Sequence, residues 1–420
     1  ARFIKYFKKY FLDITLVFAV SCIIKYIYLE GFLHMKAVIS KIELISLISK
    51  IQSIVTAKPA IPVLSNILIE AIDDQLILSA TDLTTSMKSF SESKIIEEGT
   101  LVVPARKFFH LIKELTSAQV KITSHSDEIA EIVSGSSKFK INGLNKTEFP
   151  TMPDSSNTTN IDISSSKLKE MLQKTSFAAA REDNRYMLNG ILFQINNKIA
   201  TFIATDGKRL AKSHTTLDID PSFQGSYIIP IKAVEEMIKM LDGEEKNAQI
   251  HLMHDKVFLE NNNLTLSTKL LSGQFPDVEK VIPKNNTNNI KIHREELIAL
   301  LRQVALFTSD TSHSVHFLFD KGMLHLKAMS SEIGEGHVSM EIEYDNDAVE
   351  IAFNPHYFID ILRHSNDETI SFAFSDAYNP GIVTDSSSSL FVIMPMRLNE
   401  SAFTPQNSVD VNDSKDPVLT

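Results

Sequence analysis

A threefold internal repeat constrains this chain more than any other feature. Val103-Pro104-Ala105-Arg106-Lys107-Phe108-Phe109 opens a helical pattern, as do Ile229-Pro230-Ile231-Lys232-Ala233-Val234 and Asn354-Pro355-His356-Tyr357-Phe358. Their prolines stand 126 and 125 residues apart (230−104 and 355−230). Thr81-Asp82 returns as Thr205-Asp206, and Phe149-Pro150 as Phe275-Pro276. The strand-like Asn66-Ile67-Leu68-Ile69 returns as Gly190-Ile191-Leu192-Phe193 and near Phe317-Leu318-Phe319. A period this long means tandem domains of ordinary size, not solenoid units of about 20–50 residues. Repetition on that scale points to a function that resides in shape.

Each copy has the same coarse pattern. An amphipathic helix comes first: Lys41–Ile54, with Ile42, Ile45, Leu47, Ile48, Ile51 and Ile54 at helical spacing, then Ser164–Ala179 and His293–Phe307 in the later copies. Short alternating segments follow, such as Leu76–Ala80 and Ile199–Ala204, with Asp73-Asp74 and Asn196-Asn197 at the turns. A second helix follows the proline, which is favoured in a first helical turn because its missing N–H costs nothing there. More strands close the unit. Two helices and about eight strands predict an α+β domain with the helices on one face of antiparallel sheet. The helices carry basic residues, among them Lys107, Lys167, Lys174, Lys232, Lys239, Arg302 and Arg363. Displayed on one side, they would face a polyanion even in a chain of net charge −10.

The two ends read differently. Residues 1–34 do not begin with Met, and Arg2, Lys5, Lys8 and Lys9 precede an uncharged apolar run from Ile14 to Ile24. That run is shorter than the roughly 20 residues of a spanning helix. Met35 looks like a domain start, so residues 1–34 are expected to be a non-native or disordered extension. A membrane-tethered tandem-domain interaction protein is the alternative they raise. Residues 399–420 are polar and expected to form a disordered tail. The only cysteine is Cys22. Residues 35–420 therefore contain no disulfide framework and no thiolate nucleophile, in keeping with a reducing compartment.

No catalytic signature stands out. The chain lacks G-x-x-x-x-G-K-[ST], H-E-x-x-H and G-x-S-x-G. His313 and His316 have no evident partner for a metal, and neither metal nor cofactor is expected. Asp206 and Lys208 are the residues a hydrolase or nuclease reading would use, but Asp206-Gly207 between alternating apolar runs reads more simply as a turn.

Several motifs together carry a resemblance: Val103–Phe109, Arg185-Tyr186-Met187-Leu188-Asn189-Gly190, Ala204-Thr205-Asp206-Gly207-Lys208-Arg209-Leu210, Phe275-Pro276-Asp277 and Val392-Ile393-Met394-Pro395-Met396-Arg397-Leu398. From Met35 to Leu398 the chain resembles the bacterial DNA polymerase III beta subunit family of sliding clamps. The resemblance implies clamp domains at 35–153, 160–283 and 284–398. It also implies a head-to-tail homodimeric ring, with helices lining a pore for double-stranded DNA and sheets outside. Such a protein is a non-catalytic processivity factor, cytoplasmic and nucleoid-associated, with no stable membrane association. By resemblance the DNA-side residues are Lys58, Arg181, Arg185, Tyr186 and Lys232. Glu182 and Met187 depart there from the family's usual neutral polar and aromatic residues. The implied cleft for partner peptides comprises Leu188, Thr205, Gly207, Lys208, Arg209, Leu210, Pro276, Lys280, Val281, Val392, Met394, Pro395, Met396 and Arg397. Ser312 stands where the family often has an aromatic beside it. The implied partners are the DNA polymerase III alpha subunit, the clamp loader delta subunit and other proteins bearing a clamp-binding motif. The subunit contact would pair Lys138 and Phe139 with Leu306 and Phe307, residues that could otherwise be ordinary core.

Overall fold

The computed structural model describes residues 35–126, 128–154, 159–242, 247–309 and 313–397. Cys22, the extension 1–34, Ser312, Leu398 and the tail 399–420 lie outside the described residues. Six helices appear in pairs: α1 (Lys41–Ile51) and α2 (Ala105–Glu114), α3 (Ser165–Ser176) and α4 (Ile231–Met240), α5 (Arg294–Val304) and α6 (Pro355–Arg363). Nine strands accompany the first pair and eight each of the others. The strands pair antiparallel, as the alternating patterns predict.

Local chemistry sets the boundaries. Ser40 caps α1, its hydroxyl accepting from Glu43 N at 3.1 Å while donating to the Glu43 carboxylate at 2.8 Å. Asn354 caps α6 by accepting from His356 N at 2.9 Å. Pro355 is the first residue of α6, whereas Pro104 and Pro230 occupy the cap before α2 and α4. Asp73-Asp74 and Asn197-Lys198 both take positive φ, as two-residue hairpin turns require. The apolar stripe of α1 is Leu44, Leu47, Ile48 and Ile51. Ile42 was expected on that face but is exposed, because it falls off the three-and-four spacing.

The chain forms two compact units: residues up to 172 with 195–198 and 216–272, and residues 173–194 with 199–215 and 273 onward. The second repeat is shared between them. The first unit holds a five-stranded sheet ending in Ser137–Asn142, and a sheet of eight. In the larger sheet, Thr85–Glu92 of the first repeat pairs with Leu264–Lys269 of the second. The second unit holds Arg209–Thr216 paired with Ser389–Ile393, followed by Gly381–Thr384, Thr369–Phe374 and Asn288–His293. It also holds a four-stranded sheet ending in Gly334–Glu341.

One rule underlies both inter-repeat pairings. The fourth strand of a repeat (Thr85–Glu92, Arg209–Thr216) pairs with the last strand of the next (Leu264–Lys269, Ser389–Ile393). Among the described residues, two strands of these classes have a strand neighbour on one side only: the fourth of the third repeat, Gly334–Glu341, and the last of the first, Ser137–Asn142.

Candidate functional site

Where Arg209–Thr216 meets Ser389–Ile393, the sheet face carries a cavity of about 240 Å³ lined by twelve residues. Nine belong to the expected cleft: Leu188, Thr205, Gly207, Arg209, Leu210, Pro276, Val281, Val392 and Met394. Lys208, Lys280, Pro395, Met396 and Arg397 are not in the lining. Lys280 is exposed and paired with Asp277 at 3.2 Å. Met396 N turns away to Ala352 O at 2.8 Å. Asp277, Val278 and Arg185 are in the lining without having been expected there. Val278 and Asp277 directly follow Pro276, and that adjacency was the one available signal.

The wall is built from a turn. Thr205 Oγ1 donates to Arg209 O at 2.6 Å and accepts from Gly207 N at 3.0 Å. Asp206 Oδ1 accepts from Lys208 N and Arg209 N at 2.9 and 3.0 Å. Gly207 has φ +86°, and a Cβ there would stand 3.3 Å from the Arg185 guanidinium. The Asp206 carboxylate thus folds the turn, as the Asp206-Gly207 pair between alternating runs predicts. Asp82 does the same in the first repeat, accepting from Thr84 N and Thr85 N at 2.9 and 2.7 Å.

Arg209 braces this wall from behind. Its guanidinium donates to Asp206, to Asp360 of α6 at 2.6 Å and to Phe177 O at 2.8 Å, and lies over the Tyr357 ring at 4.6 Å. Arg185 donates to Asp183 at 2.8 and 3.0 Å and to Asp206 O at 3.3 Å. The Arg185 guanidinium holds the Asp183 carboxyl down to about 2, and Asp183 in turn raises Arg185 above its ordinary value.

The segment Pro276–Val281 contributes Pro276, Asp277, Val278 and Val281 to the lining. Beyond it a second, wider cavity of about 660 Å³ is lined by Lys212, His214, Glu279, Asp385 and several hydroxyls. Lys212 and Glu279 pair there at 2.5 Å. The smaller cavity has an apolar floor of Leu188, Leu210, Val278 and Val392 with a few placed polar groups, a composition common to ligand pockets.

Most of the other expected residues lie outside this cavity. Lys58, Arg181, Tyr186 and Lys232 are exposed. Arg185, grouped with them in the sequence, sits in the cavity wall. One expectation for a basic helix face is corrected: Lys174 is buried against Asp385 at 3.2 Å, whereas Lys167 and Lys239 each pair with an acidic residue and remain exposed in part. Phe139 is 40% exposed and Leu306 72%, so neither is core. Phe307 packs on the edge strand at Gly336, where any Cβ would come within 2.5 Å of its ring. Lys138 pairs with Glu131 at 2.8 Å, and that contact first, with His125 second, lowers the Glu131 carboxyl. Among the described residues no group of three or more His, Cys, Asp or Glu could hold a metal, and no helix is long and apolar enough to cross a membrane.

Tandem α+β repeats joined edge to edge, with an apolar cavity at one junction, define the class of DNA sliding clamps. Family models bear this out: the N-terminal, central and C-terminal domains of the DNA polymerase III beta subunit match residues 35–153, 162–277 and 279–397. The chain belongs to that family. It is 51% identical over 366 residues to the beta sliding clamp of Chlamydia pneumoniae, covering 87% of this chain and all of the relative. It is 50% identical to that of Chlamydia trachomatis, covering 87% and 88%. A solved sliding clamp from Pseudomonas aeruginosa, bound to griselimycin, matches with TM-score 0.83 at 29% identity over 87% of this chain and 100% of that one.

Proposed function

We propose that this chain is a non-catalytic processivity factor that encircles duplex DNA as a head-to-tail dimer and holds partner proteins through an extended peptide seated in the Leu210–Val392 cavity. One observation carries the reading. The inter-repeat strand pairing occurs twice, and at the second occurrence its rim is apolar and opens onto a cavity. The polymerase alpha subunit and the clamp loader delta subunit are the partners this reading assigns, and the cytoplasm, on the nucleoid, is the place it assigns them.

The pairing rule supports closure. It predicts that Gly334–Glu341 of one subunit pairs with Ser137–Asn142 of another, a head-to-tail contact that closes if the rotation suits. Phe139 and Leu306 are exposed apolar residues beside these edges. Glu substituted at either is expected to yield monomers in sedimentation, and a persistent dimer would refute the contact. Lys58, Arg181, Tyr186 and Lys232 are proposed to face DNA. Contacts from such residues to phosphates are independent of base sequence and salt-sensitive, which suits sliding. After loading, the protein should stay on circular DNA and leave linear DNA by its ends. Equal retention on both would overturn the proposal.

A further inference from the structure

Thr85–Glu92 and Arg209–Thr216 each meet the last strand of the next repeat in equivalent register. That register carries over to the free edges Gly334–Glu341 and Ser137–Asn142. In the first repeat Leu76, Leu78 and Ala80 are buried, and Ala80 faces Met87. In the third Leu324, Leu326 and Ala328 are buried, and Ala328 faces Gly336. Gly336 is therefore the counterpart of Met87, and His337 of Lys88. On the other edge, the turns Gly135-Ser136 and Asn262-Asn263 close equivalent hairpins, with Ser134 facing Ser137 and Asn261 facing Leu264. Lys138 is therefore the counterpart of Thr265, and Phe139 of Leu266. At the first junction Lys88 faces Thr265 and Met87 faces Leu266. Between two copies, His337 then meets Lys138, Gly336 meets Phe139 and Glu335 meets Lys140.

The side chains suit that register. Gly336 offers Phe139 an open place beside Phe307, which already packs there. Glu335 and Lys140 carry opposite charges, as a facing pair should. His337 is the informative position. The first two repeats carry lysine there, Lys88 facing Thr265 and Lys212 facing Leu390. The closing junction has a lysine on the opposite strand, and there the third repeat carries histidine. Lysine on both strands would set permanent like charges face to face. Imidazole sets that repulsion only when protonated, and histidine changes charge between about pH 5 and 8.

His337 is exposed and alternates with Gly336, so it points away from Phe307. His325 stacks on it, with ring centroids 5.6 Å apart. Lys327 faces it in register and pairs with Glu335 at 3.2 Å, and Glu341 stands further along the same strand. The opposite edge brings Lys138 and Lys140, with Lys121 and Glu131 on the strands behind. Glu131 is already engaged by Lys138 at 2.8 Å and His125 at 2.9 Å. A proton added to His337 thus has one lysine ahead of it, another beside it and a second imidazole stacked on it.

We propose that the His337–Lys138 pair makes ring closure proton-sensitive. The dimer holds when the imidazole is neutral and loosens as pH falls through the histidine range. This rests on the edge-to-edge dimer reading given above. Closure favours neutral His337, so the dimer binds fewer protons than its separated subunits, and acid shifts the balance toward them.

The test is sedimentation equilibrium of the full chain at about pH 8 and about pH 5.5. The dimer dissociation constant is expected to rise about threefold to thirtyfold in acid, as for a like-charged facing pair counted at both junctions of the ring. His337→Gln and Lys138→Gln should each flatten that rise. His337→Lys should weaken the dimer at the higher pH as much as acid weakens the wild type. In a Cys22→Ser background, Lys138→Cys with His337→Cys should give disulfide-linked dimers on oxidation, and Lys138→Cys with Glu341→Cys should not. If Phe139→Glu yields monomers while His337→Gln keeps the whole acid rise, this inference falls and the dimer reading stands. If Phe139→Glu remains a dimer and neither cysteine pair links, the dimer reading falls and this inference with it.

Discussion

The two inter-repeat junctions share a backbone and differ in what they display. At the first, Thr85 pairs with Thr268 and Ser86 with Ser267; Lys269 N donates to Thr84 O at 3.0 Å. At the second, Arg209 pairs with Ile393 and Leu210 with Val392; Met394 N donates to Lys208 O at 2.9 Å. Serine, serine and lysine thus stand at the first junction where leucine, valine and methionine stand at the second. The turns match bond for bond, with Leu83 at φ 75° in the place of Gly207. Leu64, the counterpart of Leu188, is packed into a cluster with Val63, Leu68, Val102 and Phe149, covered by Leu144 and Met152. One architecture occurs twice, and side chains at a handful of positions leave an apolar cavity at one of the two junctions.

That contrast can be broken most forcefully by exchange. Giving the second junction the first junction's residues (Leu210→Ser, Val392→Ser, Met394→Lys) should weaken binding of an acetylated pentapeptide with adjacent leucine and phenylalanine anchors at least about a hundredfold in fluorescence anisotropy while leaving dimers intact in sedimentation. The reverse graft at Ser86, Ser267 and Lys269 should create no binding, because Leu144 and Met152 remain packed there.

Arg209→Ala should separate the junctions energetically. It strands Asp206 and Asp360 in a poorly exposed site, so urea unfolding should show a loss of about 2–4 kcal/mol. Thr85→Ala at the matching position removes one hydroxyl pair, at 3.2 Å from Thr268, and should cost about 1 kcal/mol or less. Equal effects would mean that the second junction is not specially braced.

The turns offer a smaller test of opposite sign. Gly207→Ala forces a side chain to positive φ against Arg185 and should destabilise by about 1 kcal/mol. Leu83→Gly relieves the same backbone strain, so thermal unfolding should show no loss or a slight gain.

The smallest effect is on acidity. Because Asp183 titrates near 2 when folded and near its ordinary 3.8 when released, the Asp183–Arg185 arm contributes fully above about pH 4 and fades as pH falls through 2. Carboxyl-carbon NMR should show that midpoint, and Arg185→Ala should return it to the ordinary range.

The fold was legible because the period, the hairpin turns and the helix-opening prolines repeat three times. The cavity was legible only in part. The resemblance pointed to Val392 and Leu210, but no local pattern tells a braced arginine such as Arg209 from a free one, since its partner Asp360 lies 151 residues away. For the same reason Lys174 read as a surface cation. Its neutralising carboxylate, Asp385, is distant in sequence. Burial raises that carboxyl, and the bonds from Ser387 and Lys174 more than reverse the rise. Arg185 was expected only on the DNA side, because a loop beside an exposed Tyr186 gives no hint that its arginine also lines the cavity.

The unlike free edges, Ser137–Asn142 and Gly334–Glu341, give the chain a polarity like that of an arrow. Arrows joined tip to tail around a circle all point the same way round. Every cavity in such an assembly would then open on the same side. A protein captured there would meet the duplex facing one direction of travel, whichever subunit it happened to seize.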